Sequence, residues 1–378
     1  MKILYHHRLA SKDGQYVHVE ELTTALRERG HELLIVGPSV SENSVFGSDG
    51  GIVKRLKQAL PRWLYEVLEL CYSVVSFIKL RRAVASFHPD VLYERYSLFS
   101  PAGVWIKKRY DLPLLLEVNA PLYEERSRFD SIALHALARW SERYVWRHAS
   151  AVLPVTQVLA DKVRHVGVPP ERISVVRNGI DPRRFENPLN RVLAKQRLGL
   201  AGKCVVGFTG FVREWNGLES LVQELFGKRA AFSASHQVHL LIVGDGPART
   251  SILAEAARIG AADRVTVTGV VKRNEIVDYL SAFDVAVIPD VVDYASPLKL
   301  AEYLAAGLPV IAPRKPNILE VLTDRADALL FEPGSASQLG DAVEALVRSE
   351  PQRTLLGTNG RALVDDKGLT WQANARRV

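Results

Sequence analysis

The sequence predicts an α/β protein of two near-equal domains, each a doubly wound parallel sheet. Short apolar runs alternate with helix-like stretches from end to end, which is the pattern of parallel strands connected by covering helices. At 378 residues the chain exceeds what one hydrophobic core ordinarily serves. Between the halves lies "NGIDPRRFENPLN" (178–190), rich in Asn and Pro, which reads as a linker.

In the first half, strands are expected at "KILY" (2–5), "ELLIVG" (32–37), "VLYE" (91–94), "PLLLEV" (113–118), "AVLPV" (151–155) and "ISVVR" (173–177), with helices over 17–29, 131–148 and 156–166. The second half repeats the scheme with "CVVGFTG" (204–210), "VHLLIVG" (238–244), "RVTVTG" (264–269), "VAVIP" (285–289), "PVIAP" (309–313) and "ALLFEP" (328–333). The expected domains are 1–186 and 187–365, with a closing helix over 366–378 that returns towards the first. Ligands of such folds bind beyond the carboxyl ends of the strands, so a cleft between two such sheets is the expected site.

Apolar content of 47% and charged content of 24% are ordinary for a soluble globular protein. Cys71 and Cys204 fit neither a disulfide framework nor a zinc site, which points to a reducing cytoplasm. The start, "MKILYHHRLA", lacks the pattern of a signal peptide. The stretch "WLYEVLELCYSVVSFIKL" (63–80) contains Glu66 and Glu69 and falls short of a spanning helix. A soluble or peripheral protein is therefore expected. Residues 1–186 hold 27 basic and 21 acidic groups, whereas residues 187–378 hold 22 and 21. Much of the first-half excess lies at Lys54, Arg55, Lys57, Arg62, Lys79, Arg81 and Arg82. Two readings of this 54–82 region stand open: contact with an anionic membrane surface or a phosphorylated acceptor, or two solvated helix faces around a buried seam. No nucleic-acid partner is expected, because the charge is modest and no recognition motif accompanies it. The sequence has no Gly-x-Ser-x-Gly elbow, P-loop, His-Glu-x-x-His or Asp-x-Asp motif, and His6 and His7 have no companions at metal-ligand spacing.

The most informative segment is "SPLKLAEYLAAGLPV" (296–310). Ser296 is expected as N-cap and Pro297 at the first helical position, with Gly307 and Pro309 at the stop. A helix dipole disfavours a cation in its first turn, yet Lys299 stands there. A diphosphate bound by the amides of residues 295–298 would explain it, and Glu302, about one turn on, would accept from a ribose diol. The plainer alternative is that both side chains are solvated or pair with each other. In "VGDGPART" (243–250), Gly244 and Gly246 are expected to let a ligand approach the backbone, while Arg249 occupies the third-glycine position of a dinucleotide fingerprint. In "TGFVREWNG" (209–217), Arg213 is placed to reach a phosphate and Trp215 to wall a pocket, or else they are a surface Arg and a packing Trp. Further turns at "SKDGQYVH" (11–18) and "EVNAPLYEE" (117–125) open on the same expected cleft, the second clustering Glu117, Asn119, Glu124 and Glu125 near an acceptor hydroxyl.

Taken together, "DGQYVHVEELTTALRERGHELLIVGP", "SVVRNGIDPRRF", "GFTGFVREWNGLESLV", "LLIVGDGP", "YLSAFDVAVIP", "SPLKLAEYLAAGLPVIAP" and "LTWQANARRV" resemble family 4 glycosyltransferases along the whole chain. The "YHHR" start, "VLYERYSLFS" and "LEVNAPLYEER" are similar to members that build bacterial exopolysaccharides and other surface glycans. The resemblance implies a GT-B fold, two Rossmann-like domains facing each other across a cleft. It also implies retaining transfer from a nucleotide-diphosphate sugar to a glycan or lipid-linked acceptor, with no metal or other cofactor. The expected place is the cytoplasm, at or near the inner face of the cytoplasmic membrane.

By the same resemblance, Glu302 is the ribose-binding glutamate. Ser296, Pro297, Leu298 and Lys299 hold the diphosphate, Gly14 and Gly210 lie beside the donor phosphates, and Val270 with Gly244 and Gly246 lines the base pocket. Asn119 stands where many members carry a histidine near the reacting centre. The sequence departs from the family pattern at three places. Tyr294, eight residues before Glu302, replaces the first glutamate of the pair, with Asp293 beside it. Phe211 and Asn216 replace the diphosphate-gripping Arg and Lys, leaving Arg213 between them as the substitute. Asn119, Arg213 and Lys299 are thus the expected catalytic groups. Competing readings are a sugar-nucleotide epimerase or phosphorylase on the same fold, and a degenerate partner that binds sugar nucleotides without turnover.

Overall fold

A computed structural model describes residues 1–9, 14–38 and 59–378. The basic residues Lys54, Arg55 and Lys57, and most of the turn before Gly14, lie outside the described residues. The chain divides into two compact units. The first comprises Met1–Arg177 with Tyr294–Ser296 and Asn374–Val378, and the second Asn178–Asp293 with Pro297–Ala373.

The first unit contains β1 (Lys2–His6), α1 (Gly14–Glu28), β2 (Glu32–Val36), α2 (Arg62–Phe87), β3 (Val91–Arg95), α3 (Ala102–Tyr110), β4 (Leu114–Val118), α4 (Leu122–Phe129), α5 (His135–His148), β5 (Ala151–Pro154) and α6 (Gln157–His165). All strand pairs are parallel, in the order β2-β1-β3-β4-β5. Strand order reverses between β1 and β3, which is where doubly wound sheets form ligand crevices. β3 is buried at every position, as expected of a strand covered on both faces. The α6 cap is conventional: Thr156 accepts from the Leu159 amide.

The expected strand at 173–177 does not form. Ile173 makes one isolated bridge to Val152, and Ser174 and Val176 donate to the Val152 and Pro154 carbonyls at 3.0 and 2.9 Å. A parallel ladder also needs donors from the neighbouring strand, and Pro154 has no N–H to give. Of the 54–82 region, expected as helix faces around a buried seam or as a membrane or phosphorylated-acceptor contact, the part from Arg62 on belongs to one continuous helix, α2.

The second unit contains α7 (Arg191–Arg197), β6 (Cys204–Thr209), α8 (Leu218–Val222), α9 (Ala230–Ser235), β7 (Val238–Val243), α10 (Arg249–Arg258), β8 (Val265–Val267), α11 (Ile276–Ser281), β9 (Val285–Val287), α12 (Leu298–Ala305), β10 (Val310–Pro313), α13 (Pro316–Leu319), β11 (Ala328–Phe331), α14 (Ala336–Arg348), α15 (Glu350–Asp366) and the first turn of α16 (Trp371–Arg377), whose residues from Asn374 on belong to the first unit. Its sheet is parallel in the order β11-β10-β9-β6-β7-β8, with the switch point between β6 and β9. Alternation along the strands feeds two cores. Val206, Phe208, Leu240 and Ile242 pack on one face, and Val205, Leu241 and Val243 on the other.

The second unit begins at Asn178, earlier than the boundary expected at 186/187. Ile180 donates to Leu369 O at 3.0 Å and accepts from the Trp371 amide at 3.1 Å, and Ile180 and Phe185 are buried in this unit's core. These bonds and burial tie the linker-like composition into the second domain. The closing segment, expected as one helix over 366–378, breaks after Asp366 and resumes as α16.

Candidate functional site

The switch point of the second unit is floored by backbone. β6 ends at Thr209, whose amide donates to Tyr303 Oη at 2.7 Å, and Gly210 follows at φ +123° with its amide on Val243 O at 2.9 Å. A Cβ at Gly210 would stand 3.2 Å from Lys299 Nζ, so the absence of a side chain there lets the lysine lie flat against the turn. The ammonium sits 3.6 Å from the centre of the Phe208 ring. Burial strips water from this cation, and the nearby Glu302 restores only part of the loss, so the Lys299 pKa falls to about 7.

α12 starts at Leu298, with Pro297 extended at the cap position, which corrects the expected Ser296 cap and Pro297 first turn. Pro297, at the cap position, has no side-chain acceptor for the first amides. These amides and Lys299 therefore present positive charge at the place where an anion is best held.

Gly244 and Gly246 are glycines for a different reason from the one expected. Gly244, at φ +147°, makes room for the Gly210 carbonyl, and a Cβ there would collide with it. At Gly246 a Cβ would run into the Val212 carbonyl and stand 2.7 Å from the Val212 amide nitrogen. The chain's own backbone, not a ligand, fills both spaces. Val270 is 56% exposed on the same unit. Arg213 lies with its guanidinium carbon 4.9 Å from the centre of the Phe211 ring and 4.6 Å from that of Trp215. Asn216 Oδ1 accepts from the Arg213 amide at 2.8 Å, so two of the residues that break the family pattern hold the arginine that stands between them.

The first unit gathers charge at the carboxyl ends of β1, β3 and β4. Glu117 is buried, and its Oε2 receives His18 Nε2 and Tyr93 Oη, each at 2.8 Å. Its Oε1 receives Arg95 Nη1 at 2.6 Å and the Asn119 amide. Burial alone would raise its pKa, but His18, Arg95 and these donors outweigh it and hold the carboxyl well below the usual range. Across the switch point, His6 Nδ1 meets Glu94 Oε1 at 2.7 Å. Burial, then the neighbouring His6 and Arg95, lowers the His7 pKa to about 4. Tyr294, a member of this unit, is buried; its Oη donates to Glu125 Oε2 at 2.6 Å and its carbonyl accepts from Thr156 Oγ1 at 2.9 Å.

Residues 12–184 match the model described as Glycosyltransferase Family 4, and residues 203–349 that described as Glycosyl transferases group 1. The protein is a glycosyltransferase with domains of these two kinds. A 2-deoxystreptamine glucosyltransferase of Streptomyces kanamyceticus is 27% identical over 354 residues, covering 88% of this chain and 89% of its own. A GDP-mannose-dependent alpha-mannosyltransferase of Mycobacterium tuberculosis is 29% identical over 356 residues, covering 92% and 86%. The crystal structure of Anabaena Alr3699/HepE in complex with UDP superposes with a TM-score of 0.76 at 18% identity, covering 100% of this chain and 98% of that one. The transferase thus has two parallel-sheet α/β domains of the GT-B class.

Of the expected site residues of this transferase, Gly210, Lys299 and the start of α12 come together around the β6–β9 switch point, and Asn119 sits on Glu117. Asp293 is exposed, and Gly14 opens α1. Sequence reasoning missed Tyr93, Arg95 and His18 as partners of Glu117. The available signal was "VLYER", a charged pair closing an otherwise apolar strand, which buries charge only when partners are present.

Proposed function

We propose that this glycosyltransferase moves a sugar from a nucleotide-diphosphate sugar to a glycan or lipid-linked acceptor. It does so with retention and without a metal, in surface-polysaccharide assembly at the inner face of the cytoplasmic membrane. One observation carries the reading: a desolvated lysine, Lys299, in the first turn of a helix whose cap residue is a proline, against the Gly210 turn at the sheet's switch point. That arrangement costs stability unless an anion joins it, and a diphosphate supplies one. The names of the relatives agree, since one is GDP-mannose-dependent and one structural neighbour holds UDP.

In this reading the bond from the anomeric carbon to the diphosphate oxygen breaks while the acceptor oxygen bonds to that carbon on the same face. The acceptor proton passes to the departing diphosphate, so no side-chain base is required. The amides at the start of α12, Lys299 and Arg213 stabilise the growing negative charge. Glu302 accepts from the ribose. Asn119, turned by Glu117, orients the acceptor hydroxyl.

Calorimetry with UDP, GDP and ADP tests the donor site. One of them is expected to bind, and Lys299→Ala and Glu302→Gln are each expected to weaken it about tenfold or more, as loss of a charged hydrogen bond does. Unchanged affinity in both variants would remove the site assignment. Turnover that survives a chelator supports the metal-independent step, and turnover restored only by added Mg²⁺ overturns it.

A further inference from the structure

We propose that the outward face of α2 is a docking surface for an anionic lipid bilayer, which gives the membrane placement in the reading above a physical contact. The helix is apolar on both sides. Against the body of its unit it buries Leu80 and Ala83 together with the polar Glu66, Ser73 and Ser76, and packs Leu70, Phe77 and Val84 on the core. To solvent it presents Trp63, Leu68, Tyr72, Val74, Val75 and Ile78, with Trp63 and Val74 more than half exposed. Soluble helices place their apolar stripe inward, and an outward one marks an interaction surface.

The helix cannot roll to hide this face, because directed bonds fix its rotation. Glu66 accepts the amides of Ala133 and Leu134 at 2.8 and 2.7 Å, and Ser73 Oγ donates to Phe99 O at 2.8 Å. Arg126 grips Glu69 through two bonds of 2.7 and 2.9 Å.

Charge identifies the occupant. From Cys71 to Phe87 the helix carries no acidic residue, and Lys79, Arg81 and Arg82 are all exposed. Val74, Ile78 and Arg81 lie on one row of the helix, and Tyr72, Val75, Lys79 and Arg82 on the next, so the apolar patch runs directly into a basic collar. This is the design of a helix that lies in the plane of a negatively charged interface, with its apolar side chains among the acyl chains and its cations among the phosphates. A second copy of the chain suits the face poorly, since a two-fold contact would oppose like charges with no acid to offset them. Among the described residues no helix is long and apolar enough to cross a membrane, so the contact is with the surface.

The test is sedimentation of the full chain with phosphatidylcholine vesicles containing one-third phosphatidylglycerol, and with pure phosphatidylcholine vesicles. The chain is expected to sediment with the anionic vesicles, in a salt-sensitive way, and far less with the neutral ones. K79S/R81S/R82S and V74S/V75S/I78S are each expected to reduce binding about tenfold or more. Both alter exposed positions, so melting temperature and nucleoside-diphosphate affinity are expected to match the parent chain. Failure here therefore differs from failure of the donor site. The proposal is overturned if the parent chain ignores anionic vesicles or binding survives both triple variants. It is equally overturned if light scattering shows a dimer that V74S/V75S/I78S converts to monomer.

Discussion

The two sheets of this transferase solve the same geometric problem with opposite materials. At the carboxyl edge of the first, polar side chains hold one another: Glu117 takes His18, Tyr93, Arg95 and Asn119, and His6 pairs with Glu94. At the carboxyl edge of the second, glycines let backbone approach backbone, and a single cation, Lys299, lies on the floor they make. A charged network fixes side-chain direction, which suits the orienting of a hydroxyl. A backbone floor leaves room for a bulky anion and spends few side chains on it. The first edge should thus be sensitive to charge removal, and the second to added volume.

Glu117→Ala should have the largest effect. It leaves Arg95 and His18 buried without their acceptor, a loss of about 3–5 kcal/mol. Urea unfolding should show it in the first domain, while nucleoside-diphosphate affinity stays at the parent value. Gly244→Ala inverts the pattern. The new methyl meets the Gly210 carbonyl at a φ that L-residues avoid, costing about 1–3 kcal/mol. Diphosphate affinity should fall with it, because Gly210 is the surface that Lys299 lies on. If Gly244→Ala binds diphosphate normally, the backbone-floor account is wrong.

The third prediction concerns pH. A diphosphate selects the protonated form of Lys299, whose pKa in the ligand-free protein is about 7. Above that value the lysine must take up a proton on binding, so affinity should drop about tenfold per pH unit towards the ordinary lysine range. Lys299→Arg should flatten the profile. Stability of the ligand-free chain moves the other way. Between pH 7 and 10.5 the unfolded lysine keeps the proton that the folded one has lost, so stability rises with pH across that window. Calorimetry in buffers of different ionisation enthalpy would count the proton. Smallest of all is Tyr294→Phe, which removes the bond to Glu125 and should cost about 1 kcal/mol in a thermal melt.

Much of this architecture was legible in the chain because parallel strands announce themselves as apolar runs. β6 and β7 fall within a residue of "CVVGFTG" and "VHLLIVG". The misreading at 173–177 came from a property of its neighbour: "ISVVR" has strand composition, but a ladder needs donors from both sides and Pro154 gives none. Lys299 was legible as a residue wrong for its helix position, and it lies against the Phe208 ring and the Gly210 turn. The glycines were legible but their cause was not, since a sequence says that a side chain is forbidden and not that the Gly210 and Val212 carbonyls forbid it. The Glu117 network was only half seen, because His18, Tyr93 and Arg95 reach it from separate segments.

Arg213 shows what such packing does for speed of engagement. A free arginine surrenders about 2 kcal/mol of rotamer freedom when it closes on a phosphate. Here Phe211 and Trp215 flank the guanidinium, and Asn216 clasps its amide. Much of that disorder has already been removed during folding. In the proposed reaction an arriving anion therefore meets a tool already in the grip, and two of the residues that break the family's usual pattern are part of the handle.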